Sequence, residues 1–124
     1  MRFYPFFWGH ADERGEGRGL GYNLNLPLPR KTGDEGFMAA LATAMQRLRA
    51  FAPDALVVAL GLDAHESDPF GGLSVTTRGF SGIGSLIGTA KLPTVLVQEG
   101  GYKNEALGAN LISFLAGFRK AHGV

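Results

Sequence analysis

Two patterns of apolar positions run through most of this chain, helical spacing and short continuous runs, and each predicts a different kind of element. Phe37, Leu41, Ala44, Met45, Leu48 and Phe51 recur at helical spacing, which predicts a helix from about Asp34 to Ala52, closed by Pro53. Just ahead of it, Thr32 and Glu35 have the spacing of a capping box. The continuous run Ala55 to Leu60 then lies between Pro53 and Gly61, the pattern of a strand buried on both faces in a parallel sheet covered by helices. A second short apolar strand, TVLVQ, opens after Pro93. Between the two, Phe80, Ile83, Leu86 and Ile87 share one side of a helix predicted over about Arg78 to Thr89, with Thr76 or Thr77 as its cap. Gly79, Gly82, Gly84 and Gly88 fall inside this helix. At about 1 kcal/mol lost per interior Gly, it needs tertiary packing to form, and its small residues are expected to permit close approach to the sheet. Last, Leu107, Leu111, Phe114, Leu115 and Phe118 predict an amphipathic helix over Asn104 to His122, with basic residues in its final turn and Gly123 as its cap.

The first thirty residues are less regular. Phe3 to Trp8 is a short aromatic strand candidate that Pro5 confines to an edge or a strand end. Gly15, Gly17, Gly19 and Gly21, interleaved with charged residues, mark a loop. A phosphate cradle needs a strand before such a loop and a helix N-terminus after it. Here the loop enters YNLNLPLP instead, whose alternating leucines Leu24, Leu26 and Leu28 predict a strand ending at Pro29, so no nucleotide site is expected.

Composition narrows the class. With 124 residues, the chain has room for one domain, and an apolar fraction of 45% argues against disorder. A formal charge of +1 suggests no nucleic-acid partner. No apolar run is long enough to span a membrane, and MRFYPFFWGH lacks the apolar core of a signal peptide, so a cytoplasmic protein is expected. The absence of cysteine removes disulfides, thiolate metal sites and a cysteine nucleophile. The expected fold class is α/β, a parallel sheet flanked by helices.

Open α/β sheets bind ligands at the C-terminal ends of their strands. Asp63, His65 and Asp68 follow the first predicted strand; Glu99, Gly100, Gly101 and Tyr102 follow the second. A helical crossover between parallel strands brings Asp63 and Tyr102 to one edge of the sheet. On its own, Asp63 reads as a turn residue or a metal ligand, and Tyr102 as a half-buried aromatic with a bonded hydroxyl or as a donor to substrate. His122 reads as a cation partner for its helix C-terminus.

GLDAHESDPFGGLSVTTRGF and VQEGGY, together with FYPFFWGHADERGEGRGLGYNLNLPLP upstream of both, resemble the histone deacetylase and acetylpolyamine amidohydrolase family, most closely its bacterial acetylpolyamine amidohydrolase branch. The resemblance runs from Phe3 to the last helix. It implies the C-terminal portion of an arginase/deacetylase-type fold, a single truncated domain over residues 1–124, and a zinc-dependent hydrolase of acetylated amines. Residue by residue, Asp63 matches a ligand of the catalytic zinc, and Tyr102 the tyrosine whose hydroxyl donates to the acetyl carbonyl oxygen. Phe7, Gly100 and Gly101 match positions lining the substrate tunnel, and Tyr22 a position whose backbone serves a structural monovalent cation. His65, Asp68 and His10 are expected as supporting polar residues. The family's two other zinc ligands, a D-x-H pair after an earlier strand, and its His-His dyad have no counterpart, since the one D-x-H match, Asp63-Ala64-His65, lies in the late motif. The expectation is therefore a chain inactive by itself, whose partner is a missing N-terminal half or a second copy. The alternative is a non-catalytic, oligomerising half-domain that has lost the metal site. Asp63 and His65 of two chains meeting as a new metal centre is a third reading.

Overall fold

Two parallel strands, β1 (Leu56–Leu60) and β2 (Thr94–Gln98), pair in register from Leu56 opposite Thr94 to Leu60 opposite Gln98. Helix α1 (Asp34–Phe51) precedes β1, α2 (Thr77–Gly88) makes the crossover, and α3 (Leu107–His122) follows β2. This architecture is that of the computed structural model, which describes residues 9–124. Phe7 and the strand expected over Phe3 to Trp8 lie outside the described residues. Among the described residues, no helix is long and apolar enough to cross a membrane.

One core unites the elements. Met45 of α1, Leu56 and Leu60 of β1, Phe80 and Ile83 of α2, and Phe114 and Phe118 of α3 are all buried in it, with Val58 and Leu96 packed against it. The opposite sheet face is bare within the described residues: Val57 is 77% exposed, Val95 58% and Val97 42%. Burial of β1 on both faces, as its sequence suggested, is therefore not found here. Side chains alternate across a strand, so the helices that bury Leu56, Val58 and Leu60 leave Val57 and Ala59 pointing the other way.

Helix α2 achieves its close approach against α3, not against the sheet. A Cβ on Gly84 would overlap the Phe114 carbonyl oxygen, and one on Gly117 the Ser81 carbonyl oxygen. Two of the glycines that weaken α2 as an isolated helix, Gly84 and Gly88, are thus among those that let two backbones touch.

The predicted capping box does not form. Gly33 is the N-cap of α1, while Thr32, one position earlier, donates its hydroxyl to the Pro29 carbonyl at 2.7 Å. Asp34 instead accepts from the Thr76 amide at 2.8 Å and the Thr76 hydroxyl at 2.7 Å. Thr76 in turn caps α2 by accepting from the Gly79 amide at 3.0 Å. Thr76→Ala is accordingly expected to cost about 1–2 kcal/mol. Thr32→Ala, which removes only an exposed turn contact, should stay within about 0.5 kcal/mol of wild type; urea unfolding midpoints for the pair check both values.

Two further expectations are corrected. The YNLNLPLP segment joins no sheet among the described residues. Pro27 and Pro29 remove ladder donors, Leu26 and Leu28 sit in a groove with Phe37, Leu41 and Ala44 of α1, and Asn23 and Asn25 donate back to the Glu13 and His10 carbonyls. His122 does not bond its own helix end. Its Nε2 donates to the Leu92 carbonyl at 2.9 Å and its ring stacks on Phe118, while Lys91 supplies the cation, donating from Nζ to the His122 carbonyl at 3.1 Å. Helix α3 starts at Leu107 because Asn104 forms an Asx turn ahead of it, accepting from the Ala106 amide at 2.9 Å.

Candidate active site

The ladder between β1 and β2 continues past both strand ends and fastens the two loops that follow. The Glu99 amide donates to the Leu60 carbonyl at 3.0 Å, and the Leu62 amide to the Gly100 carbonyl at 2.8 Å. Asp63 lies in the short 3-10 turn Leu62–Ala64, half-buried directly beyond β1. Its carboxylate rests against backbone on two sides: a Cβ on Gly61 would stand 2.6 Å from Oδ1, and a Cβ on Gly100 would be 2.6 Å from the same atom. Any side chain at either glycine would displace the carboxylate. Asp63 makes no side-chain hydrogen bond or ion pair among the described residues, which leaves its oxygens free to accept from a ligand or bind a cation.

Gly101 takes φ +130°, and a Cβ there would press to 2.9 Å on both Leu62 and Leu107. Only glycine passes comfortably through this gap, and the turn it permits delivers Tyr102 to the rim, 46% exposed. The Tyr102 ring meets Phe70 edge-on, with centroids 4.4 Å apart and planes at 61°. Asp68, buried beneath them, accepts from the Phe70 amide at 2.9 Å through Oδ1 and from the Tyr102 amide at 3.2 Å through Oδ2. Asp63, Gly100, Gly101, Tyr102 and Asp68 thus share one sheet end.

His65 sits next to this group but points into the core. Its ring is buried and stacks on Phe80. Nδ1 accepts from the Ser67 amide at 3.2 Å, which places the remaining proton on Nε2, facing the Thr77 hydroxyl at 3.4 Å. Thr77 then donates to Asn110 Oδ1 at 2.7 Å. With both nitrogens engaged, His65 holds the loop to α2 and α3, and a metal centre made by Asp63 and His65 of two chains would require this network to break.

Tyr22 is not in the group. It is exposed and meets Phe51 edge-on at 5.7 Å, in a cleft of about 380 Å³ that also takes in Pro53 and Leu56. That cleft is at the opposite end of β1 from Asp63. His10 lies in the glycine-rich loop, whose Glu13 amide donates to its carbonyl at 3.1 Å.

Phe70 and Asn110 were not singled out from the sequence, and Thr77 only as a candidate helix cap. Asn110 had a readable signal, being a polar residue four positions before Phe114 on an otherwise apolar helix face. For Phe70 the signal was the Asp-Pro pair before it, which opens a turn whose aromatic residue can be presented outward.

The chain matches the histone deacetylase domain family over residues 1–118. It is 51% identical to an acetylpolyamine amidohydrolase of Burkholderia pseudomallei over 98% of its own length and 36% of that protein's. Against acetylpolyamine amidohydrolase 1 of Pseudomonas aeruginosa it is 42% identical, over 95% of this chain and 34% of that one. It therefore spans about a third of the length of these relatives. Among solved structures, the acetylpolyamine aminohydrolase from Burkholderia pseudomallei superimposes with a TM-score of 0.92 at 51% identity, covering 96% of this chain and 35% of that one. An HDAC homolog complexed with SAHA does so with a TM-score of 0.80 at 26% identity, covering 97% and 32%. The β1–α2–β2 unit and the two loops at its end are thus a portion of an arginase/deacetylase-type fold, and the chain belongs to the histone deacetylase family.

Proposed function

We propose that these residues form part of the active site of a zinc-dependent amidohydrolase acting on acetylated amines, acetylpolyamine or acetyl-lysine, and that they hydrolyse no amide by themselves. The observation that carries this reading is that Asp63, whose carboxylate has no partner among the described residues, and Tyr102 stand on two loops fastened at one sheet end by the Leu62–Gly100 hydrogen bond. In it, Asp63 is one metal ligand, Tyr102 donates its hydroxyl to the acetyl oxygen as negative charge develops there, and Gly100 and Gly101 border the acyl group. A positioned donor of this kind stabilises the transition state more than the bound substrate.

Zinc sets the limit of the reading. A mononuclear catalytic site takes about three protein ligands, and no group of three candidate ligands is assembled among the described residues. They fit one corner of such a site and do not complete it. The direct test assays acetylputrescine and an acetyl-lysine peptide with the 124-residue chain alone and after co-folding with the remaining part of the Burkholderia pseudomallei relative. Hydrolysis is expected only in the mixture. Turnover by the chain alone, or none in a folded, zinc-loaded mixture, overturns the proposal.

The bare valine face supports a second reading, a self-associating half-domain without catalysis. Val57, Val95 and Val97 form a contiguous apolar patch that another polypeptide would cover. Light scattering of the chain alone at micromolar concentration is expected to show an oligomer, and a stable monomer would remove this second reading.

A further inference from the structure

A buried carboxylate must have its oxygens satisfied, and where Asp68 finds its partners is informative. At 4% exposure it contacts one amide in its own loop, Phe70, and one in the loop after β2, Tyr102, at 2.9 and 3.2 Å. Both residues so held carry the rings that meet edge-on at 4.4 Å. One carboxylate therefore fixes the Tyr102 backbone directly and its ring through Phe70. The residue just before Tyr102 is Gly101, at φ +130°, a position that restrains the backbone little by itself. The other contact to the Tyr102 backbone, from the Asn104 side chain to its carbonyl at 2.9 Å, is exposed.

We infer that Asp68 is a positioning residue for Tyr102, a clasp that holds its backbone and ring in place at the sheet end that also carries Asp63. The role rests on the reading of Tyr102 as hydroxyl donor. Charge-assisted bonds to backbone amides are the stronger kind, so the clasp holds through solvent exchange at the rim. Asparagine in its place presents one acceptor and one donor. Whichever way the amide turns, one of the two loops loses its acceptor and faces an N–H.

The test has two arms. In the 124-residue chain, amide hydrogen exchange is followed by NMR. The Tyr102 amide is expected to be protected, and Asp68→Asn to speed its exchange at least about tenfold while leaving Ile83 and Phe114 unchanged. A Tyr102 amide that exchanges in the wild-type chain as fast as unstructured peptide overturns the clasp, and needs no variant to fold. In the protein assembled with the remainder of its relative, Asp68→Asn is expected to lower kcat about tenfold with KM little changed, and to have no further effect in a Tyr102→Phe background. An equal loss in both backgrounds would mean that Asp68 acts on general loop stability and not through Tyr102. An assembled protein with no activity but a protected Tyr102 amide removes the hydrolase reading and leaves the clasp standing.

Discussion

Gly84→Ala and Gly117→Ala are each expected to destabilise the fold by at least about 2 kcal/mol. The added methyl falls on a backbone carbonyl oxygen of the facing helix, of Phe114 in one case and Ser81 in the other. Backbone within a helix cannot step aside as a side chain can, so α2 and α3 must separate. Separation opens contacts around Phe80 and Phe114, the largest fully buried side chains among the described residues. Overpacking of a core costs about 1–3 kcal/mol and sometimes more, and here it outweighs the ~1 kcal/mol that Ala adds through helix propensity. Gly82 provides the control. A Cβ there meets only the end of the Met38 side chain, its sulfur at an ordinary 3.6 Å and its Cε at 3.8 Å, so Gly82→Ala is expected to raise stability by up to about 1 kcal/mol. Thermal or urea unfolding of the three variants gives opposite signs if the helix contact is as described. Destabilisation of all three alike would contradict it.

The second large effect concerns the site. In the assembled protein, Tyr102→Phe is expected to lower kcat by about 10²–10³-fold while KM changes little. The phenylalanine ring keeps the edge contact with Phe70, and the backbone keeps its bond to Asp68, so only the hydroxyl is lost. A donor aimed at developing negative charge acts most strongly in the transition state, which is why the loss belongs to kcat. Steady-state kinetics on an acetylated diamine decides the matter. A change confined to KM would make Tyr102 a substrate-binding residue, and no change would remove it from the reaction.

How much of this could be read beforehand varies with the physics of each segment. Helices α1 and α2 were legible to within a residue or two because a wide apolar stripe and a proline or capping residue bound them. Both strands stood out as short apolar runs between prolines and glycines, and their parallel pairing followed from the intervening helix. That Asp63 and Tyr102 share a sheet end was legible for the same reason. What was not legible depends on partners distant in sequence. Thr32 and Glu35 match a capping pattern, yet Asp34 is engaged with Thr76, 42 residues away. YNLNLPLP alternates like a strand, but alternation does not supply a neighbour to pair with, and its leucines found α1 instead. The glycines of α2 announced a close approach without saying to what. Asp68 and His65 looked equally peripheral from their spacing. Only the fold shows one clasping the two site loops and the other turned into the core against Thr77. Tyr22, joined to the site residues by resemblance alone, lies a strand's length away.

The most direct measurement is zinc stoichiometry by elemental analysis of the purified chain, alone and co-folded with the remaining part of the Burkholderia pseudomallei relative, each with and without Asp63→Ala. Zinc is expected well below stoichiometric in the chain alone and close to stoichiometric in the assembled protein, where Asp63→Ala is expected to lower metal affinity at least about tenfold. Stoichiometric zinc in the chain alone, or zinc in the assembled protein that Asp63→Ala leaves untouched, would contradict the assignment of Asp63 as one corner of a shared metal site.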